Sequence, residues 1–158
     1  TVTIGGEVLT ALDIGSDTIL AAYDLSGSPL WARMDGGDDE DAPSSLAMTA
    51  AGELVLVGSF FGNASYAGQN LTSVLGKDAL LAGYRASDGA GLWAKSYGGV
   101  SGDEPIGHAI EEEATDVEFS PDGHLVVAGE FGGELVAEGW TLTASPDDID
   151  TFLLSVEP

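Results

Sequence analysis

The chain contains no cysteine among its 158 residues, which excludes disulfides, thiolate nucleophiles and cysteine-based zinc sites. Positive charge is almost as scarce. Arg33, Lys77, Arg85 and Lys95 stand against 27 acidic side chains, for a formal net charge of −23. Such a field repels phosphate backbones and anionic membranes, so nucleic acid is excluded as a partner class. No apolar run approaches the ~18 residues of a membrane-spanning helix, so membrane insertion is not expected. No window sustains apolar residues at i, i+3, i+4 and i+7, the helical pattern. His108 and His124 are the only histidines, and they lack the spacing of paired zinc ligands. There is no Gly-x-Ser-x-Gly nucleophile turn. No two carboxylates are singled out as a glycosidase pair, and an enzyme is not expected.

What is present is short apolar runs punctuated by 23 glycines, with 44% hydrophobic residues overall. This predicts an all-β fold with enough apolar material for one core. The runs repeat. Gly-x-x-Leu-Thr-[Ala/Ser] begins at Gly6, Gly68 and Gly139, at steps of 62 and 71 residues. Each copy leads to an Asp and an apolar run, at Asp17 to Tyr23, Asp78 to Tyr84 and Asp150 to Val156. Two copies continue into Leu-Trp-Ala-[Arg/Lys] and a Gly-Gly pair, at Leu30 to Gly37 and at Leu92 to Gly99. A second element, Gly52 to Phe60, returns 71 residues later as Gly123 to Phe131. Self-similarity at such periods marks a solenoid, propeller or array.

Turn chemistry divides these runs into strands. Leu25 to Pro29 predicts a hairpin between Asp17–Asp24 and Leu30–Met34. Ala50-Ala51-Gly52 and Ser120-Pro121-Asp122-Gly123 predict two more, Ser45–Thr49 with Glu53–Phe60 and Thr115–Phe119 with His124–Phe131. The recurrent Asp17, Asp78 and Asp150 are expected to cap turns. Asp35 to Asp41 forms an acidic loop, with an Asp103-Glu104 counterpart before Pro105. The stretch Ile106 to Ala114 is expected to lengthen that second loop. Asp38, Asp39, Asp41, Asp103 and Glu104 are the hard oxygen donors that calcium would use, although their spacing is not that of a calcium-binding loop. Trp31 and Trp93 recur at one repeat position and are expected to pack between repeats. Trp140 replaces Glu7 and Gln69 of its sibling motifs, and it and Phe152 are the candidate interface residues. Asn63-Ala64-Ser65 and Asn70-Leu71-Thr72 match the glycosylation sequon.

Asp78 to Lys95 with Gly98-Gly99, Asp103-Glu104 and Pro121 to Gly129 together resemble the bacterial β-propeller repeat of the SBBP type. The Asp…Gly…Trp portion is similar, more distantly, to the tryptophan-docking repeat of quinone-type propellers. The resemblance implies four-stranded antiparallel blades, about two and a fraction of them: a partial blade at 1–44, a full blade at 45–99 and a partial blade at 100–158. It also implies an exported, cell-surface or extracellular setting and no particular activity. Propellers close with 4 to 8 blades, and the chain opens part-way through a repeat, so a piece of a larger or oligomeric propeller is expected. The expected role is a non-enzymatic module that binds a protein partner or copies of itself. The alternative is calcium or carbohydrate held by the acidic rim loops, with calcium the sole candidate cofactor.

Overall fold

The structure is a computed structural model that describes residues 1–11, 15–99, 112–145 and 148–157. Among the described residues there are thirteen strands and no helix, as the glycine-punctuated runs predict. They are β1 (Val2–Ile4), β2 (Glu7–Leu9), β3 (Thr18–Tyr23), β4 (Pro29–Gly37), β5 (Asp41–Met48), β6 (Glu53–Tyr66) and β7 (Gln69–Arg85). The remainder are β8 (Gly91–Tyr97), β9 (Glu113–Phe119), β10 (Leu125–Gly132), β11 (Glu134–Ala137), β12 (Trp140–Thr143) and β13 (Ile149–Val156). Every pairing between them is antiparallel.

The middle of the chain is a meander in which β5, β6, β7 and β8 each pair with the next. Short turns that carry glycine make this possible. Gly52 and Gly123 take φ of 85° and 91° at the tips of the β5/β6 and β9/β10 hairpins, where a side chain would be strained. In the β3/β4 turn, Asp24 Oδ1 accepts from the backbone N–H groups of Ser26 and Ser28, both at 2.8 Å. Of the recurrent aspartates expected to cap turns, Asp78 Oδ1 accepts from the Val74 N–H at 3.0 Å and Asp150 Oδ2 from the Ser145 N–H at 3.4 Å.

One element is longer than its sequence suggests. β6 and β7 run on past a register shift at Phe61/Asn63 into an outer hairpin, pairing Asn63 with Thr72 and Tyr66 with Gln69. Its turn is Ala67-Gly68, with φ of 52° and 79°. Two positive φ values in a row make the two-residue turn whose twist matches antiparallel strands. The same hairpin is built by β1/β2 around Gly5-Gly6 and by β11/β12 around Glu138-Gly139. The Gly of Gly-x-x-Leu-Thr is therefore the second turn residue, which explains its recurrence.

Strand alternation sends side chains of the middle meander to two faces, and both are covered. On one face Val55, Val57 and Leu81 pack with Val127, Leu125 and Phe152 of the β9–β10–β13 sheet. On the other, Leu56, Leu80, Ala82 and Tyr84 pack with Leu20 of β3 and with Trp31 of β4. Each fully buried aliphatic side chain contributes about 1.5–3 kcal/mol, so these two seams hold the three repeats together.

Candidate functional site

The chemistry of this molecule is concentrated where one repeat joins the next. At the first joint, Gly36 and Gly37 at the end of β4 pair with Ser65 and Ala64 of the outer hairpin. A Cβ on Gly37 would stand 1.8 Å from the Asn63 carbonyl oxygen, so only glycine lets the two backbones approach. Gly37→Ala should cost about 3 kcal/mol through this backbone clash, read as a lowered thermal midpoint. A melt unchanged from the parent chain would show that the strands do not meet as described.

Gly36 leaves room for carboxylates. A Cβ there would lie 2.5 Å from Asp17 Oδ1 and 2.7 Å from Asp41 Oδ2, so the two side chains converge on the missing methyl. Asp41 is 2% exposed; its Oδ2 accepts from the Gly37 N–H at 2.8 Å, and its own N–H donates to the Ser16 carbonyl at 2.9 Å. Burial pushes the Asp41 carboxyl up to about 6, and Asp17 and Asp39 add to the rise, while the Gly37 N–H and the Tyr66 hydroxyl oppose it. Tyr66, hydrogen-bonded to Thr18 Oγ1 at 2.9 Å, is itself raised by burial.

Beside this pair, Asp35 carries a set of contacts between repeats. Its Oδ1 takes a 2.6 Å ion pair from Arg33. Its Oδ2 accepts from the Tyr84 hydroxyl at 2.8 Å and from the Ala67 N–H at 3.2 Å. Arg33 also donates to the Gly89 carbonyl at 2.7 Å and lies 4.7 Å over the Tyr84 ring. The neighbouring Trp31 donates from Nε1 to the Ala86 carbonyl at 2.9 Å, and Gly89 has no Cβ to collide with its ring. Trp31 thus packs between repeats.

The second joint repeats the plan with different side chains. Gly98 pairs with Val136 of the outer hairpin, and a Cβ on it would lie 2.2 Å from Asp78 Oδ1. Burial raises the Asp78 carboxyl to about 6 against one backbone donor, Val74 N–H. The part of Asp35 is taken by Tyr97, which donates to Glu138, and Lys95 reaches the same Glu138 oxygen at 2.9 Å. Those two donors hold the Glu138 carboxyl below its usual range, the Tyr97 hydroxyl first. Trp93 lies over Gly83 and donates to Glu53 Oε1 at 2.7 Å.

The acidic loop is split by the start of β5. Asp38 and Asp39 are exposed, whereas Asp41 faces the interior. Asp38 Oδ2 accepts from Asn63 Nδ2 at 3.0 Å, and Asn63 Oδ1 accepts from Thr72 at 2.9 Å. These groups border an open recess of about 540 Å³ that also touches Leu71 and Asn70. Asp103 and Glu104 lie outside the described residues. Among the described residues no group of three or more His, Asp and Glu side chains is arranged to hold a metal ion, so the structure does not bring Asp38, Asp39 and Asp41 together as one ligand set.

The counterpart of Asp41 is also not where the sequence puts it. Asp41 N–H bonds Ser16, one residue before Asp17, and Glu112 N–H bonds Lys77, one residue before Asp78. Glu112, fully buried, therefore occupies the Asp41 position of the second joint. The extra residues that lengthen this repeat fall between Gly99 and Glu112, not across Ile106 to Ala114, because Glu113 and Ala114 already belong to β9. The misplacement has a simple origin: Asp103-Glu104-Pro105 imitates Asp41-Ala42-Pro43, and only the ladder register distinguishes the true equivalent.

The interface candidates separate. Trp140 is 72% exposed at the start of β12. Phe152 is a correction: it is 5% exposed, and its ring fills the space over Gly129, 2.3 Å from where a Cβ would be. It seals the joint between repeats and is not at a surface. Sequence reading missed a different set, Ile19, Tyr23 and Leu153, which are exposed. The usable signal was their alignment with Leu80, Tyr84 and Leu81.

No family model matches the chain, and no curated protein is significantly similar to it. The fold and joints define an all-β protein of antiparallel sheets.

Proposed function

We propose that the chain is a non-enzymatic interaction module, built of propeller-type blades, that associates through its sheet faces with other copies of itself or with similar β repeats in an exported setting. One observation carries this reading. Positions that are sealed in the middle repeat are open in the outer ones. Leu81 is fully buried but its equivalent Leu153 is 72% exposed; Leu80 is fully buried but Ile19 is 42% exposed; Tyr84 is 1% exposed but Tyr23 is 53% exposed. The partners of the buried versions are neighbouring sheets, so the open versions are suited to neighbours of the same kind. The meander β5–β8, covered on both faces, supports the blade description.

A heterologous contact of this type joins two different faces, and it closes a ring or continues as a stack according to its rotation. Exposed apolar faces of a repeat array favour such association. Light scattering across a concentration series should give a mass that rises above the 16.1 kDa of one chain to a discrete value. Ile19→Lys should hold the chain at the monomer mass. A mass that stays at one chain throughout the series would remove the self-association reading.

A further inference from the structure

We propose that the recess between the end of β4 and the outer hairpin of β6 and β7 binds a neutral saccharide through its hydroxyl groups. This goes beyond the association reading above and does not depend on it, because both walls of the recess belong to repeats that meet within the chain.

Strand alternation builds the site. Asn63 and Ser65 of β6 stand opposite Thr72 and Asn70 of β7, so these four polar side chains project from one face of the hairpin. Asn63, Asn70 and Thr72 are exposed. Gly36, Gly37 and Asp38 border the same recess of about 540 Å³, and half-buried Leu71 adds an apolar contact. Sites for small ligands combine such a volume with a few convergent polar groups.

Comparison with the sibling hairpins sets this one apart. In β11/β12 the corresponding pairs are Glu134 with Thr143 and Val136 with Thr141, and in β1/β2 Thr3 stands opposite Val8. The leucine of the repeated motif is kept in all three, as Leu9, Leu71 and Leu142, whereas Asn63 and Asn70 are the only asparagines in the chain. The siblings form the same hairpin without an amide at either place, so the fold does not require them there.

The chemistry of the lining specifies the ligand. The Asn63 amide is held between Asp38 Oδ2, at 3.0 Å, and the Thr72 hydroxyl, at 2.9 Å, and the Asp38 N–H donates to the Asn63 carbonyl at 2.9 Å. Held in this way, Asn63 keeps a second N–H and a second lone pair to offer, and Asp38 keeps acceptor capacity. Amides beside a carboxylate set donors next to acceptors, the complement of neighbouring hydroxyls that each donate and accept. Asp38 is the one charged group of the lining, and with a net charge of −23 an anionic ligand is repelled. Among the described residues no group of three or more His, Asp and Glu side chains is arranged for a metal ion, whereas a calcium ion takes six to eight oxygens. A neutral sugar matches what remains.

Amide NMR of the intact chain, titrated with the methyl glycosides of glucose, galactose and mannose and with N-acetylglucosamine, tests this. Saturable shifts of the Asn63 and Asn70 side-chain amides and of the Gly36 to Asp38 backbone amides are expected with at least one probe, at a dissociation constant of about 1–10 mM. Ser65→Val with Asn70→Thr copies the Val136 and Thr141 pair that already forms a hairpin in this chain, and should weaken binding about tenfold. The single change Asn70→Ala, at an exposed position, should do the same. Shifts that fail to saturate with every probe, shifts centred on other strands, or unchanged affinity in both variants would overturn the proposal. So would saturation of the same amides by calcium chloride with no response to any sugar. Read at concentrations where the chain is monomeric, sugar binding without self-association at higher concentration removes the face reading alone. Self-association without sugar binding removes this site alone.

Discussion

Leu81→Ala should destabilise the chain by about 2–5 kcal/mol, while Leu153→Ala at the equivalent position of the next repeat should change stability by no more than about 0.5 kcal/mol. The two substitutions delete the same atoms. They differ because Leu81 is fully enclosed among Val55, Val57, Val127 and Phe152, whereas Leu153 is 72% exposed. Removing the buried side chain forfeits its transfer from water and leaves a cavity that strands tied on both sides cannot collapse to fill. Urea unfolding of both variants, at a concentration where the chain is monomeric, provides the comparison. Equal losses would mean that the two faces are equally covered in solution, which would contradict the distinction between inner and outer repeats.

The second large effect is a rise in stability on mild acidification. Asp41 beside the first joint and Asp78 beside the second are 2% and 3% exposed, and burial lifts both carboxyls to about 6. An unfolded aspartate titrates near ~3.9, so between these values the folded chain holds protons that the unfolded chain has released. Raised carboxyls contribute stability that is fully present below the unfolded value and lost as pH rises through about 6. Stability should therefore rise as pH falls from 7.5 towards 5, by about 1–2 kcal/mol per group after allowing for partial screening by solvent, and the thermal midpoint should climb with it. The net charge of −23 works in the same direction through self-repulsion, but salt screens that part and leaves buried groups largely untouched. A melt series at high salt separates the two. Asp78→Asn keeps an acceptor for the Val74 N–H, removes the titration, and should flatten the remaining pH dependence while raising the midpoint at pH 8. An unchanged slope in that variant would show that Asp78 is not one of the titrating groups.

Much of the fold was legible because it depends on local chemistry. Glycine at φ > 0 marks the tips at Gly52 and Gly123, and alternation marks the strands they join. The outer hairpins were not read, although their turns recur at Gly5-Gly6, Ala67-Gly68 and Glu138-Gly139. Ala67 and Glu138 do not advertise a positive φ, and Gly62-Asn63, which reads locally as the end of a strand, is only a register shift within β6. The site was less legible than the fold. Arg33 and Asp35 lie on one strand and Tyr84 comes from the next repeat, so the three meet only after the sheets pack. Phe152 was assigned to an interface by its type, yet an aromatic over a glycine in a strand pair is the means of filling a space that the glycine leaves.

By itself the sequence determined the strand class, the repeat and its punctuation, because turn geometry and side-chain alternation are properties of a few neighbouring residues. Tertiary structure alone decided which carboxylates are buried, which glycines allow two backbones to meet, and which copy of a repeated leucine stays open. Those outcomes depend on what lies across the sheet, and identical motifs at Leu81 and Leu153 have different neighbours.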